Sequence, residues 1–260
     1  MNITDIVRAW LRRNRFATSG LLLCLGTVEI PLWQSLQQPP LQPAAVDRLR
    51  MAAESGRDPA ALTSLQQAAR QGNIDAQRAA AGILIGTKDT AQSATGVKWA
   101  KTAAERGDAG AQYLLGKVLF DGNTALLRNR QQARFWFEQA ASQQHAQATY
   151  FLGLIYKNGY GVAINAVSAA SWFDKSAALG NADAIFMLGT AYMEGSGVPA
   201  NQARAVALFR QAAELEHPLA AQMLAYALRD GTLGLTRDNR AAQQMVLEID
   251  HALHHPRSVF

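Results

Sequence analysis

Apolar and polar positions follow a helical rhythm from about residue 58 onward, and the rhythm itself recurs. The clearest stretch is Thr149–Gly180, which reads as helix, glycine turn, helix, glycine stop. Ala148, Leu152 and Tyr156 are four residues apart and share one helix face; Ala184, Leu188 and Tyr192 repeat that face 36 residues later. A glycine beside the leucine recurs at Gly82, Gly116, Gly153 and Gly189, with Ala225 in the last copy, at steps of 34, 37, 36 and 36. A bulky residue recurs at Trp99, Trp136, Trp172 and Leu208, and a pair of small residues follows at Ala103-Ala104, Ala140-Ala141, Ser176-Ala177 and Ala212-Ala213. A fixed period in this range is the signature of an array of stacked supersecondary units.

Each slot predicts a role. Glycine inside a helix costs about 1 kcal/mol relative to alanine, so its recurrence predicts a close helix crossing. The small pair is expected on the opposite side of that crossing, with Trp136 and Trp172 filling the wedge between the helices. Gly159, Gly161, Gly195 and Gly197 mark turns, where glycine permits a positive φ. Gly107 and Gly180 follow the second helices as stops.

The pattern A-x-Y/F-x-L-G-x-x-Y-x-x-G-x-G-V followed by W-x-x-K-A/S-A-x-x-G resembles the Sel-one-like repeat, a relative of the tetratricopeptide repeat. Residues 148–180 and 184–213 carry it best. Residues 111–144 depart at Leu119 and in a longer turn, residues 76–107 in the turn glycines, and residues 220–250 keep only Leu224, Gly231 and Gly234. The resemblance implies an all-α, right-handed superhelical α-solenoid of stacked helix–turn–helix repeats that binds other proteins. The family has no shared catalytic residues to carry over.

The flanks alter the picture. Arg8, Arg12, Arg13 and Arg15 against Asp5 give residues 1–15 a charge of +3, leaving +2 of the total +5 for the rest. The pI near 9.6 is therefore no sign of a nucleic-acid surface, since the remaining basic residues are scattered among acids. Phe16–Trp33 holds one charge, Glu29, and is flanked by Trp10 and Trp33. It is long enough to span a bilayer, and the arginine cluster predicts a cytoplasmic N-terminus. A cleaved signal, a lipoprotein signal at Cys24 and an amphipathic helix docked on protein are the alternatives. The expected organisation is a basic cytoplasmic segment (1–15), a transmembrane signal anchor (16–35), a proline-rich linker (36–43), capping helices (44–74), a solenoid (75–254) and a tail (255–260). The units of the solenoid are expected at about 75–108, 109–144, 145–181, 182–217 and 218–254. The lone Cys24 excludes an internal disulfide framework.

No enzyme motif stands out. Gly159-x-Gly161 and Gly195-x-Gly197 follow helices rather than strands and lack a G-K-[ST]. His251, His254 and His255 form a histidine cluster near the C-terminus, more readily exposed surface than a metal site. No cofactor, metal, nucleic-acid or small-molecule substrate is expected. By analogy with tetratricopeptide arrays, first helices line the concave face. Two slots there vary between repeats: Lys117, Leu154, Thr190 and Tyr226, and then Phe120, Lys157, Met193 and Arg229. Leu154 and Phe120 are equally readable as core. The sequence thus predicts a scaffold anchored in a bacterial inner membrane, with a periplasmic solenoid holding a protein or peptide partner. Secretion, conjugation, pilus and envelope-assembly complexes are its natural settings. A periplasmic regulator that binds a sensor, and a hydrolase, are the rival readings.

Overall fold

A computed structural model describes residues 41–56 and 58–254, with side chains omitted at Pro59 and beyond residue 247. The expected transmembrane anchor at 16–35 lies outside these residues, as does the side-chain arrangement of the C-terminal histidines. Among the described residues no helix is long and apolar enough to cross a membrane.

Twelve helices follow one another with no strand among the described residues. They are α1 (Pro43–Glu54), α2 (Pro59–Arg70), α3 (Ile74–Ile85), α4 (Thr90–Glu105), α5 (Ala109–Asp121), α6 (Arg130–Ser142), α7 (Ala146–Asn158), α8 (Ala166–Ala178), α9 (Ala182–Glu194), α10 (Gln202–Glu214), α11 (Pro218–Asp230) and α12 (Asn239–His254). Each helix packs on the next, so the chain is an all-helical solenoid of hairpins. Neighbouring first helices also touch directly, α1 with α3, α3 with α5 and α5 with α7, whereas second helices do not approach each other to this extent. At the front of the array first helices therefore lie closer to one another than second helices do.

Capping sets the register. Asn73, Asp108, His145, Asn181 and His217 precede the first helices of successive units, and each side chain accepts a hydrogen bond from the amide three residues on. Asn129, Asn165 and Asn201 do the same for α6, α8 and α10. Counting from these caps corrects one sequence assignment. Gly116, Gly153, Gly189 and Ala225 all stand eight residues after their caps, and the residue eight after Asn73 is Ala81, not Gly82. Ala81 is fully buried. Gly82 is exposed, and a Cβ there would meet nothing within 4 Å.

The recurrent glycine also has a different partner from the one expected. A Cβ on Gly116 would lie 2.7 Å from the Phe137 ring, on Gly153 2.4 Å from Phe173, and on Gly189 2.7 Å from Phe209. Each ring belongs to the residue after the bulky slot. Phe137, Phe173 and Phe209 are buried, whereas Trp136, Trp172 and Leu208 are half-buried. The phenylalanine, not the tryptophan, fills the wedge, and burying each ring contributes about 1.5–3 kcal/mol.

The small pair lies between the first helix of its own unit and the first helix of the next. Ser176 Oγ donates to the Ala146 carbonyl at 2.8 Å, at the start of α7. Ala212 packs with Ile185 and Ala220, from the first helices on either side of it. At the front of the array Ala69 accepts from Gln77 Nε2 at 3.0 Å, and Ala104 accepts from Gln112 Nε2 at 3.2 Å, each across eight residues. The recurrence shows that α2 occupies the place of a second helix, with α1 as its first.

The turn glycines divide their work. Gly159, Gly195 and Gly231 close first helices in the left-handed conformation. Gly197 presses on the preceding unit: a Cβ there would lie 2.1 Å from the Ala166 carbonyl oxygen at the start of α8. After the second helices the chain turns left-handed at Gly72, Gly107 and Gly180, but also at Gln144 and Glu216. The stop is thus a backbone conformation that glycine adopts freely and two other residues adopt at a cost.

Candidate binding face

The eight residues proposed for the inner face divide by environment. Leu154 is half-buried against the cluster of Phe173 and Leu188, and Met193 is half-buried against Val206 and Phe209. These two pack rather than present. Phe120 is part of an aromatic group: its ring centroid lies 5.5 Å from Phe151 and 5.3 Å from Tyr160, both nearly perpendicular. Lys117 pairs with Asp121 and holds its ammonium 5.6 Å from the Phe151 centroid.

Lys157, Tyr226 and Arg229 are exposed, and Thr190 is half-buried. Tyr226 accepts a hydrogen bond from Gln222 Nε2 at 2.9 Å and lies 5.0 Å beneath the Arg229 guanidinium. Arg229 also pairs with Asp230 at 2.8 Å, and that contact lowers the Asp230 pKa. Lys157 and Thr190, 33 positions apart in sequence, both line a pocket of about 190 Å³. Its floor is α8, through Ala169, Ala170 and Phe173, between α7 on one side and α9 on the other. Glu194 and Ser196 complete the open side. Neither Ala170 nor Ser196 stands out in sequence, because small residues are common throughout these helices and turns.

Sequence reasoning also missed two histidines that act as caps. His145 Nδ1 accepts the Ala148 amide at 3.2 Å, and His217 Nδ1 accepts the Ala220 amide at the same distance. Each imidazole stacks at 22° on a ring of the preceding first helix, His145 on Tyr113 and His217 on Phe186. Burial lowers the His145 pKa and raises those of Tyr113 and Tyr150. The available signal was spacing: both histidines stand three residues before the invariant small slot at Ala148 and Ala220, where Asp108 and Asn181 stand in the other units.

Among the described residues no group of three or more His, Cys, Asp or Glu side chains could hold a metal ion. The site offers apolar floor, ring faces and scattered charges, which is the chemistry of recognition.

The Sel1 repeat matches residues 76–108, 109–145, 146–181, 182–217 and 218–245, and this chain belongs to the Sel1 repeat family. It is similar to a Sel1 repeat protein from Oxalobacter formigenes, at 26% identity and a TM-score of 0.74, over 85% of this chain and 93% of that one. It is also similar to a protective antigen of uropathogenic Escherichia coli, at 29% identity and a TM-score of 0.66. That alignment covers 80% of this chain but 46% of the antigen. An immunity protein from Pseudomonas aeruginosa shares the fold at 19% identity and a TM-score of 0.54, over 84% of this chain and 86% of that one. No protein of curated function matches the chain. Sel1-repeat proteins are generally protein–protein interaction modules, and the solenoid is typically a non-catalytic scaffold.

Proposed function

We propose that this chain is a membrane-anchored scaffold that holds one protein or peptide partner along the inner side of its first helices. The observation that carries the reading is the change of residue at equivalent inner positions. Lys117, Thr190 and Tyr226 stand at one slot, and Lys157 and Arg229 at the next, while the buried slots on the same helices stay alanine and leucine. A surface that varies over a constant core is suited to one specific partner rather than to packing.

The anchor rests on the sequence of residues 16–33 and on the arginines before it. In this reading the N-terminus is cytoplasmic, the solenoid is periplasmic, and the right-handed superhelix curves its first helices around the partner. Tethering to the bilayer raises the partner's local concentration. A secretion, conjugation, pilus or envelope-assembly complex at a bacterial inner membrane is the setting that suits such an adaptor.

Photo-crosslinkers placed singly at Lys117, Lys157, Tyr226 and Arg229 of the full chain in cells test this directly. The expected result is one shared protein adduct from the inner positions and none from exposed second-helix positions such as Gln139. Adducts from both faces, or from neither, overturn the binding face. Full membrane retention and activity after deletion of residues 1–35 overturns the anchor.

A further inference from the structure

The caps allow the pocket on α8 to be compared position by position with the neighbouring unit junctions. Between the second and third units the equivalent positions hold Phe120, Arg130, Arg134, Phe151 and Tyr160. These side chains fill the space themselves. Phe120 meets Phe151 and Tyr160, and the Arg130 guanidinium lies 4.3 Å from the Tyr160 centroid and 5.7 Å from that of Phe120. Between the fourth and fifth units the same positions hold Met193, Gln202, Val206, Met223 and Thr232, with Tyr226 beside them. Between the third and fourth units they hold Lys157, Ala166, Ala170, Met187 and Ser196, with Thr190 beside them. Arg130, Arg134 and Tyr160 give way to Ala166, Ala170 and Ser196 at this junction, and the volume those three side chains vacate forms the pocket.

We infer that this pocket receives one phenylalanine-sized side chain of the bound protein, in the place that Phe120 and its neighbours fill one unit earlier. The inference rests on the binding face proposed above. Size supports it, since an apolar cavity of about 150 Å³ holds a benzene ring and this one is about 190 Å³. Chemistry supports it too. The apolar lining is alanine, the Phe173 ring and Met187, and the exposed Lys157 and Glu194 add an ammonium and a carboxylate. Among the described ion pairs neither charge is engaged by another residue. A donor and an acceptor at the lining of one apolar slot complement the carbonyl and N–H of an extended peptide whose side chain enters it. A free hydrocarbon or an anion would use only one of these features.

The chain has six methionines, and Met187 lines the pocket while Met223 holds the equivalent slot one junction on. Methyl-labelled methionine in the full chain therefore provides a reporter and an internal control. N-acetyl-phenylalaninamide is expected to shift the Met187 methyl through its ring current and to leave Met223 in place; N-acetyl-alaninamide is expected to shift neither. Ala170→Val restores the residue type found at Val206, which is buried there without disrupting its unit. It is expected to weaken the Met187 response about tenfold or more, as is Ser196→Tyr, which restores the residue found at Tyr160. A Met187 that does not move, or that responds equally in both variants, overturns the pocket. If crosslinks from Lys117 and Tyr226 persist in that case, the binding face stands without it. A Met187 response with no crosslink from any first helix overturns the face and, with it, the occupant assigned here.

Discussion

The first Sel1 unit and the three central ones cross their two helices by different means. In the central units a glycine on the first helix admits a ring from the second, as Gly116 with Phe137, Gly153 with Phe173 and Gly189 with Phe209. In the first unit both slots hold alanine, Ala81 and Ala100, each fully buried. The close approach has moved to the second helix, at Gly96, where a Cβ would lie 3.0 Å from the Ile85 nitrogen and 3.0 Å from Leu84 Cβ. Helix α4 is also longer than its counterparts, 16 residues against 13. The repeat therefore conserves filled volume at the crossing. Which helix supplies the gap, and whether a ring or a backbone fills it, is free to change as long as both helices change together.

The sharpest way to break this comparison is to add a methyl group at the tightest glycine. Gly153→Ala places a Cβ 2.4 Å from Phe173 Cε1, inside contact distance. Overpacking of this kind costs about 1–3 kcal/mol, and the helix-propensity gain of about 1 kcal/mol offsets only part of it. Denaturant unfolding is expected to show a lower midpoint. Gly153→Ala combined with Phe173→Leu should cost less than the sum of the two single changes, because the ring that clashes is gone. Additive costs in that cycle would show that the glycine and the ring are not coupled.

The same substitution made at Gly82 is expected to act in the opposite direction. That glycine is helical and exposed, with nothing near its missing Cβ. Gly82→Ala should therefore stabilise the chain by about 1 kcal/mol. A loss of stability would return Gly82 to the crossing and refute the register set by Asn73.

That register shows how far the sequence could be read. The repeat length, the buried faces of Ala148, Leu152 and Ala184, Leu188, and the glycine turns were all legible, because periodicity reports which face is buried. Partners across a crossing were not. Trp136 and Phe137 are adjacent, and only the rotation of α6 decides which one meets Gly116. In the first unit Ala81 and Gly82 are neighbours, so a pattern match without the cap selects the wrong one. On the binding face the variable slots were visible as variation, but not which would be open. Leu154 and Met193 vary as Lys157 and Tyr226 do, yet pack inward. The pocket was hidden for a further reason. It consists of volume that is missing at one junction, and it emerges only when five positions on three helices and a turn are compared with their equivalents.

The finest distinction between units lies in their caps, and pH separates them. Asn181 holds the Ala184 amide in a bond that does not titrate, whereas His145 holds the Ala148 amide through Nδ1, which must be unprotonated to accept. Burial holds the His145 pKa below its ordinary 6.5; its backbone hydrogen bond and Asp108 oppose this, and Arg78 reinforces it. The unfolded chain therefore takes up a proton at a higher pH than the folded one. The contribution of this cap is complete above the unfolded value and is lost as pH falls through the lowered folded value, since there the unfolded state binds more protons. His145→Asn keeps an acceptor at the cap and removes the titration, at the expense of the stack on Tyr113. The thermal midpoint of the parent chain is expected to fall more steeply between about pH 7 and 5 than that of His145→Asn, in the range where histidine changes charge. Parallel slopes would mean that the imidazole does not act as the cap in solution, and the alternation of histidine with asparagine along the array would then be a matter of stacking alone.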